Sequence, residues 1–70
     1  MQGELTRDLP VDIRLHGHIV QFKVDVTGRV KATCRAFPEM LVRHDDFRGA
    51  MREARKEVTR LTAARIAERL

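Results

Sequence analysis

The stretch IVQFKVDVTGRVKATCRA, residues 19–36, decides the fold. Apolar side chains occupy every second position on both sides of the pair Thr27-Gly28, and mostly polar side chains fill the positions between them. This alternation is typical of strands that bury one face, and the glycine supplies the positive φ that a tight hairpin turn requires. The stretch therefore predicts a β-hairpin with one apolar face.

Shorter patterns on either side of this hairpin extend the predicted sheet. Residues 11–15 alternate in the same way, and residues 16–18, His-Gly-His, are predicted to form the turn that follows them. Downstream, residues 37–39, Phe-Pro-Glu, are expected to break the third strand, because proline cannot donate to a central ladder. Residues 40–42 are then expected to form a short edge strand.

From Phe47 onward the apolar spacing becomes helical. Asp45 or Asp46 is the expected N-cap, since an acidic pair there lies at the positive end of the helix dipole. Gly49 in the first turn is expected to allow close approach of the helix to the sheet. The apolar stripe of this predicted helix consists of Phe47, Ala50, Met51, Ala54, Val58 and Leu61.

The stripe changes after Leu61. At about 100° per residue the next position on that face is Arg65. The remaining apolar side chains cluster on nearly the opposite side, at Ala63, Ile66, Ala67 and Leu70. Two interpretations follow: the helix bends or ends near Thr62, or its last two turns bury a different face. In so small a chain that face is a candidate interface with a second subunit.

These elements predict an α+β fold, a small antiparallel β-meander of three or four strands packed by one long C-terminal α-helix. Residues 1–10 are expected to be a flexible N-terminal arm, and residues 11–70 a single domain. The predicted inward-facing set is Ile13, Val20, Phe22, Val24, Val26, Val30, Ala32, Cys34, Met51, Ala54, Val58 and Leu61.

The size of the chain indicates that it needs an added source of stability. Seventy residues with three aromatic side chains, all phenylalanine, support only a modest core. Cys34 is the one cysteine, so an internal disulfide is excluded and a homo-oligomer, most simply a dimer, is favoured. No apolar run approaches the roughly 20 residues that span a bilayer. The lone thiol and the lack of a signal peptide predict a cytoplasmic protein with no membrane association.

Three groupings could carry chemistry, and each is better explained by structure. Cys34 falls on the inward side of a strand, whereas a reactive thiol needs an exposed, electropositive place. His16 and His18 flank a turn glycine and lack the four ligands of a structural zinc site. Residues 44–46, His-Asp-Asp, are typical of a helix N-cap, and the chain contains no serine. We therefore expect no catalytic residues, no bound metal and no cofactor.

The net charge of +4 belongs to the helix. Residues 1–46 contain seven basic and seven acidic residues, whereas residues 47–70 contain seven basic and three acidic ones. The solvent side of the predicted helix carries Arg48, Arg52, Arg55, Lys56 and Arg60. Like charges at i,i+4 oppose helix formation, so this excess suggests a contact with phosphate or an acidic partner. A plain solvated face is the other interpretation, and no aromatic residue lies among these side chains to stack on bases.

Residues 22–58 carry a pattern of turns and helix positions that resembles a known family. Residues 32–40 read ATCRAFPEM and residues 44–47 read HDDF, and the helix follows with small residues at regular spacing. In this register the chain resembles the HicB-like family, proteins with a partial RNase-H fold best known as antitoxins. The positions that match outright are Pro38, Asp45, Ala50 and Ala54. Glu39 and His44 stand where the family has glycine, and residues 59–70 look helical where it has another strand.

The leading functional expectation combines this resemblance with the chain's small size. The resemblance implies a non-enzymatic binding module, of antitoxin or regulatory type, that occupies the surface of a partner protein. The first alternative is a nucleic-acid-binding protein that uses the basic helix. The second is a structural subunit that joins a larger assembly through its last helical turns.

Overall fold

The structure, a computed structural model, describes residues 9–69. Its elements in chain order are β1 (Val11–Leu15), β2 (His18–Val24), β3 (Val30–Cys34), β4 (Phe37–His44) and α1 (Phe47–Arg69). The strands form one antiparallel sheet in the order β1-β2-β3-β4. The predicted α+β meander with a long C-terminal helix is therefore confirmed. Most of the predicted N-terminal arm, and Leu70, lie outside the described residues.

The chain turns where the sequence predicts between the first three strands, but the second turn is a loop of residues 25–29 and not a tight turn at Thr27-Gly28. His16 and Gly17 connect β1 to β2 with φ values of 49° and 82°, the positive pair that a two-residue hairpin favours. In the β2–β3 loop the Asp25 carboxylate accepts hydrogen bonds from the backbone N–H groups of Thr27, at 2.8 Å, and Arg29, at 3.2 Å. Gly28 completes this loop with a φ of 86°.

The fourth strand is longer than the sequence pattern predicts. The break falls at the two residues after Cys34, and β4 starts at Phe37 and includes Pro38. Proline is tolerated there because β4 is an edge strand and an irregularity in the β3–β4 register lies beside it. The expected break at residues 37–39 was wrong. The predicted inward set therefore lacks Phe37, Met40 and Val42, which are all buried.

The hydrophobic core lies between α1 and one face of the sheet. Its buried members are Leu15, Val20, Phe22, Val30, Ala32, Cys34, Phe37, Met40, Val42, Ala50, Ala54, Val58 and Leu61. Ile13 and Met51, predicted as inward, pack partly buried at the margin of this core. The helix crosses β4 and β3 most closely and reaches β2 near its start, where the Phe22 and Phe47 rings pack edge to face at 5.2 Å.

Two valines of the predicted inward set are exposed instead. Val26 lies in the loop beyond the end of β2, so no neighbouring strand covers it. Val24 is paired with Val30 but has no neighbour on the other side, because the β1–β2 pairing ends at Val11 opposite Phe22. The alternation of apolar residues in the sequence continues beyond the last position that the sheet can bury.

The helix begins at the predicted N-cap and follows the predicted stripe. Asp46 is the capping residue, since its Oδ1 accepts a hydrogen bond from the Gly49 N–H at 2.6 Å. Four residues of the predicted stripe are buried, namely Ala50, Ala54, Val58 and Leu61. Gly49 leaves room for the ring of His44, with which a Cβ at this position would collide. The expected close approach is thus to a β4 side chain.

The helix neither ends nor changes direction of packing at Thr62, and continues to Arg69. Arg65 occupies the next position on the sheet-facing side, and its guanidinium lies 4.5 Å from the centre of the Phe37 ring. A 4.0 Å contact with the Glu39 carboxylate adds to this packing. The stripe therefore continues with a cation in place of an apolar residue. Of the interpretations that the sequence left open, an end of the helix near Thr62 is excluded.

Candidate nucleic-acid interface

The structure brings all five predicted basic residues to one shallow groove between α1 and the β1–β2 turn. We call it the basic groove, and it is lined by His16, Arg48, Met51, Arg52, Arg55, Lys56, Thr59 and Arg60. None of these lining residues is acidic. The predicted phosphate or acidic-partner contacts are thus neighbours in space as well as in sequence.

Helical geometry sets the spacing of these cations. Arg48, Arg52, Lys56 and Arg60 follow one another at i,i+4, which separates successive positions by about 6 Å along the axis and spans about 18 Å in all. Their side chains are exposed, while the stripe on the other side of α1 is buried. The packing of that stripe on the sheet therefore fixes which way the cations point.

Arg60 is the one groove cation with an acidic partner in the described part of the chain. Its Nη2 and Nε lie 2.8 Å and 3.2 Å from the two carboxylate oxygens of Glu57. These hydrogen bonds lower the pKa of Glu57 and raise the pKa of Arg60. Within residues 9–69, Arg48, Arg52, Arg55 and Lys56 have no carboxylate within 4.0 Å. The groove therefore retains most of its positive charge.

Three groove residues were missed by the sequence interpretation. Met51 was assigned to the buried stripe, but it is half-buried and also lines the groove. The Thr59 hydroxyl donates a hydrogen bond to the Arg55 carbonyl at 2.9 Å, within the helix. His16 reaches the groove from the β1–β2 turn, and no local pattern could have signalled this. Its position depends on the direction in which α1 crosses the sheet.

The other sequence motifs have structural positions. Cys34 is buried in the core. His18 packs edge to face on the Phe37 ring at 4.9 Å, whereas His16 lines the basic groove. His44 lies beside Gly49, and its Nδ1 is 3.5 Å from the Asp46 N–H. Residues 44–46 therefore form the segment that leads into α1 and caps it.

The candidate subunit interface lies on the last turns of α1, on a side that does not contact the sheet. Ala63, Ile66 and Ala67 are exposed, and Ile66 retains 55% of its accessible surface. They lie on a different side of α1 from Arg65, which contacts Phe37. Leu70, the fourth predicted member, falls outside the described residues. The structure thus leaves this apolar cluster uncovered within residues 9–69.

Comparisons with known proteins add no relative. No family model, no curated protein and no solved structure matches the chain. Within residues 9–69, no helix combines the length and the apolar character that crossing a bilayer requires.

Proposed function

We propose that this chain is a non-enzymatic, cytoplasmic binding module that holds the phosphate backbone of a nucleic-acid duplex in its basic groove. The observation that carries this proposal is the convergence of five cations on one groove whose lining includes no carboxylate. Four of them lack an acidic partner within residues 9–69. Their positive charges oppose one another along the helix, and phosphate groups would relieve that repulsion.

The dimensions of the groove favour a backbone contact. A row of cations about 18 Å long spans about five phosphates at the 3.4 Å rise of one strand. Single-stranded nucleic acid is usually held by aromatic side chains that stack on bases. Phe22 and Phe37 are buried and Phe47 is partly buried against the core, so none of the three offers an open stacking surface. A duplex with its bases paired is therefore the better ligand.

Binding to a short DNA duplex, and to an RNA duplex of the same sequence, should weaken steeply with salt. Each phosphate contact contributes about −0.9 to the slope of log affinity against log salt, so four or five contacts predict a slope of about −4. Replacing two groove cations, in R52A/K56A, should make the slope shallower by about 2. Fluorescence anisotropy over a salt series measures both slopes.

A matched control removes the same charge elsewhere. Arg35 and Arg69 are exposed and lie outside the basic groove. The R35A/R69A variant should keep a slope close to that of the unchanged chain. The proposal is overturned if no binding is detected at about 50 mM salt, where counterion release makes it strongest. It also fails if the two double variants change the slope equally.

A second candidate function is protein binding through the exposed helix end, as in a homodimer or the antitoxin-type module that the HicB-like resemblance implies. The observation that favours it is the exposure of Ile66 beyond the last sheet contact. Covering this apolar side chain with another chain would lower the free energy of the complex.

Light scattering tests this second candidate. The unchanged chain should have the mass of a dimer, and I66D should have the mass of a monomer, because a buried carboxylate without a partner is strongly unfavourable. Ala64 is also exposed but lies about 160° from Ile66 around the helix, so A64D is the matched control and should remain dimeric. A monomeric unchanged chain, or equal effects of both substitutions, contradicts the dimer.

A further inference from the structure

The face of the sheet opposite α1, here called the open face, carries a second group of cations. Lys23 on β2, Lys31 on β3 and Arg43 on β4 all point to this face, because their neighbours along each strand point into the core. We call these three residues the cation row. The basic groove lies on the other side of the sheet, so the two surfaces are separate.

The strand register places the cation row side by side. Lys23 is directly opposite Lys31, and Lys31 is directly opposite Arg43. Opposed side chains on one face have Cβ atoms about 5 Å apart, and like charges at such positions destabilise a sheet. The arrangement is therefore unfavourable for the folded chain alone and favourable once an anion lies across it.

Acidic side chains neutralise only one end of the row. The Arg43 Nε lies 3.1 Å from Asp25 Oδ2 at the end of β2. Within residues 9–69, Lys23 and Lys31 have no carboxylate within 4.0 Å. Two adjacent ammonium groups are thus available to a ligand.

The rest of the open face fits a polar, anionic ligand better than a protein surface. The next positions across β2 and β3 are Gln21 and Thr33, which lie opposite each other and carry groups that hydrogen-bond phosphate oxygens. Asp12 opposes Gln21, and Arg14 follows on the same strand and balances its charge. Two large apolar side chains of the described strands are exposed here, Ile19 on β2 and Leu41 on β4. The strand β3 separates them, whereas a protein interface requires a contiguous apolar centre.

We propose that the open face is a second backbone-binding surface for a nucleic-acid duplex, with Lys23 and Lys31 as its main phosphate contacts. A single chain would then bridge two duplex segments, one on each side of the sheet. The open-face contact stands by itself, whereas the bridging rests on the proposed function of the basic groove.

Capture of a fluorescent DNA duplex on beads that carry a second, immobilised duplex measures bridging. The unchanged chain should capture it, and so should R69A, because Arg69 is exposed and lies outside both surfaces. K23Q/K31Q should lose capture while still binding one duplex through the basic groove. R52A/K56A should capture less of it, and its remaining binding should weaken further when K23Q/K31Q is added, because Arg48, Arg55 and Arg60 still line the groove. K23Q/K31Q should melt at the same or a higher temperature, since the substitution removes like-charge repulsion.

The outcomes separate this proposal from the proposed function. If K23Q/K31Q captures the second duplex as well as the unchanged chain does, bridging comes from chain association and the open-face proposal is overturned. If K23Q/K31Q alone abolishes all duplex binding and R52A/K56A changes nothing, the open face is the binding surface and the basic-groove proposal fails. Binding of polyglutamate in place of either duplex would overturn both and indicate an acidic protein as the ligand.

Discussion

Asp46 determines where the helix begins. The sequence left Asp45 and Asp46 as equal N-cap candidates, and the hydrogen bond from the Gly49 N–H to Asp46 decides between them. Replacing Asp46 by alanine should therefore destabilise the chain by about 1 kcal/mol, which lowers the melting temperature by about 4–8 °C.

Asp45 supplies the matched control for this substitution. Its side chain is 81% exposed and pairs with Arg29, itself exposed, at 3.2 Å. An exposed pair of this kind contributes little, so D45A should change stability by less than about 0.5 kcal/mol. Thermal unfolding followed by circular dichroism measures both variants. A larger effect of D45A than of D46A would show that the cap is assigned to the wrong residue.

Asp25 links stability to pH. Hydrogen bonds from Thr27, with the Arg29 N–H and the Arg43 charge, lower the pKa of Asp25 below its ordinary value. A carboxyl whose pKa is lower in the folded chain contributes stability above its unfolded pKa of about 4, and loses that contribution as the pH falls through the folded pKa. The melting temperature of D25N should thus lie below that of the unchanged chain by a constant amount at neutral pH.

This difference should shrink as the pH falls below about 4. Melting curves of both chains over a pH series test the linkage. A difference that stays constant into strong acid would contradict the ionised Asp25 loop.

At the level of elements, the periodicity of apolar residues predicts those strands and helices that depend only on local spacing. The hairpin of β2 and β3 and the helical stripe follow from periods of two and of about 3.6 residues. The start of β4 does not, because a proline is excluded or tolerated according to whether its strand lies at an edge. Arg65 shows the same limit. Its charge suggests a break in the stripe, but the ring of the buried Phe37 accepts its guanidinium in a cation–π contact.

In the whole molecule, both charged surfaces depend on contacts between distant parts of the chain. The spacing of Arg48 to Arg60 predicts a basic helical face, but His16 joins it only because the helix crosses near the β1–β2 turn. The cation row depends on the strand register, which pairs Lys23 with Lys31 and Lys31 with Arg43. The alternation of each strand indicates that these residues point outward. It does not indicate that they meet.

The most direct test of the central claim is a map of the residues that contact a duplex. Backbone amide chemical shifts, measured by NMR while a short DNA duplex is added at low salt, report each position separately. The basic groove predicts the largest changes along α1 at residues 48–60 and at His16, and their loss in R52A/K56A. Changes confined to residues 62–69, or no changes at all, would contradict the claim that this groove binds nucleic acid.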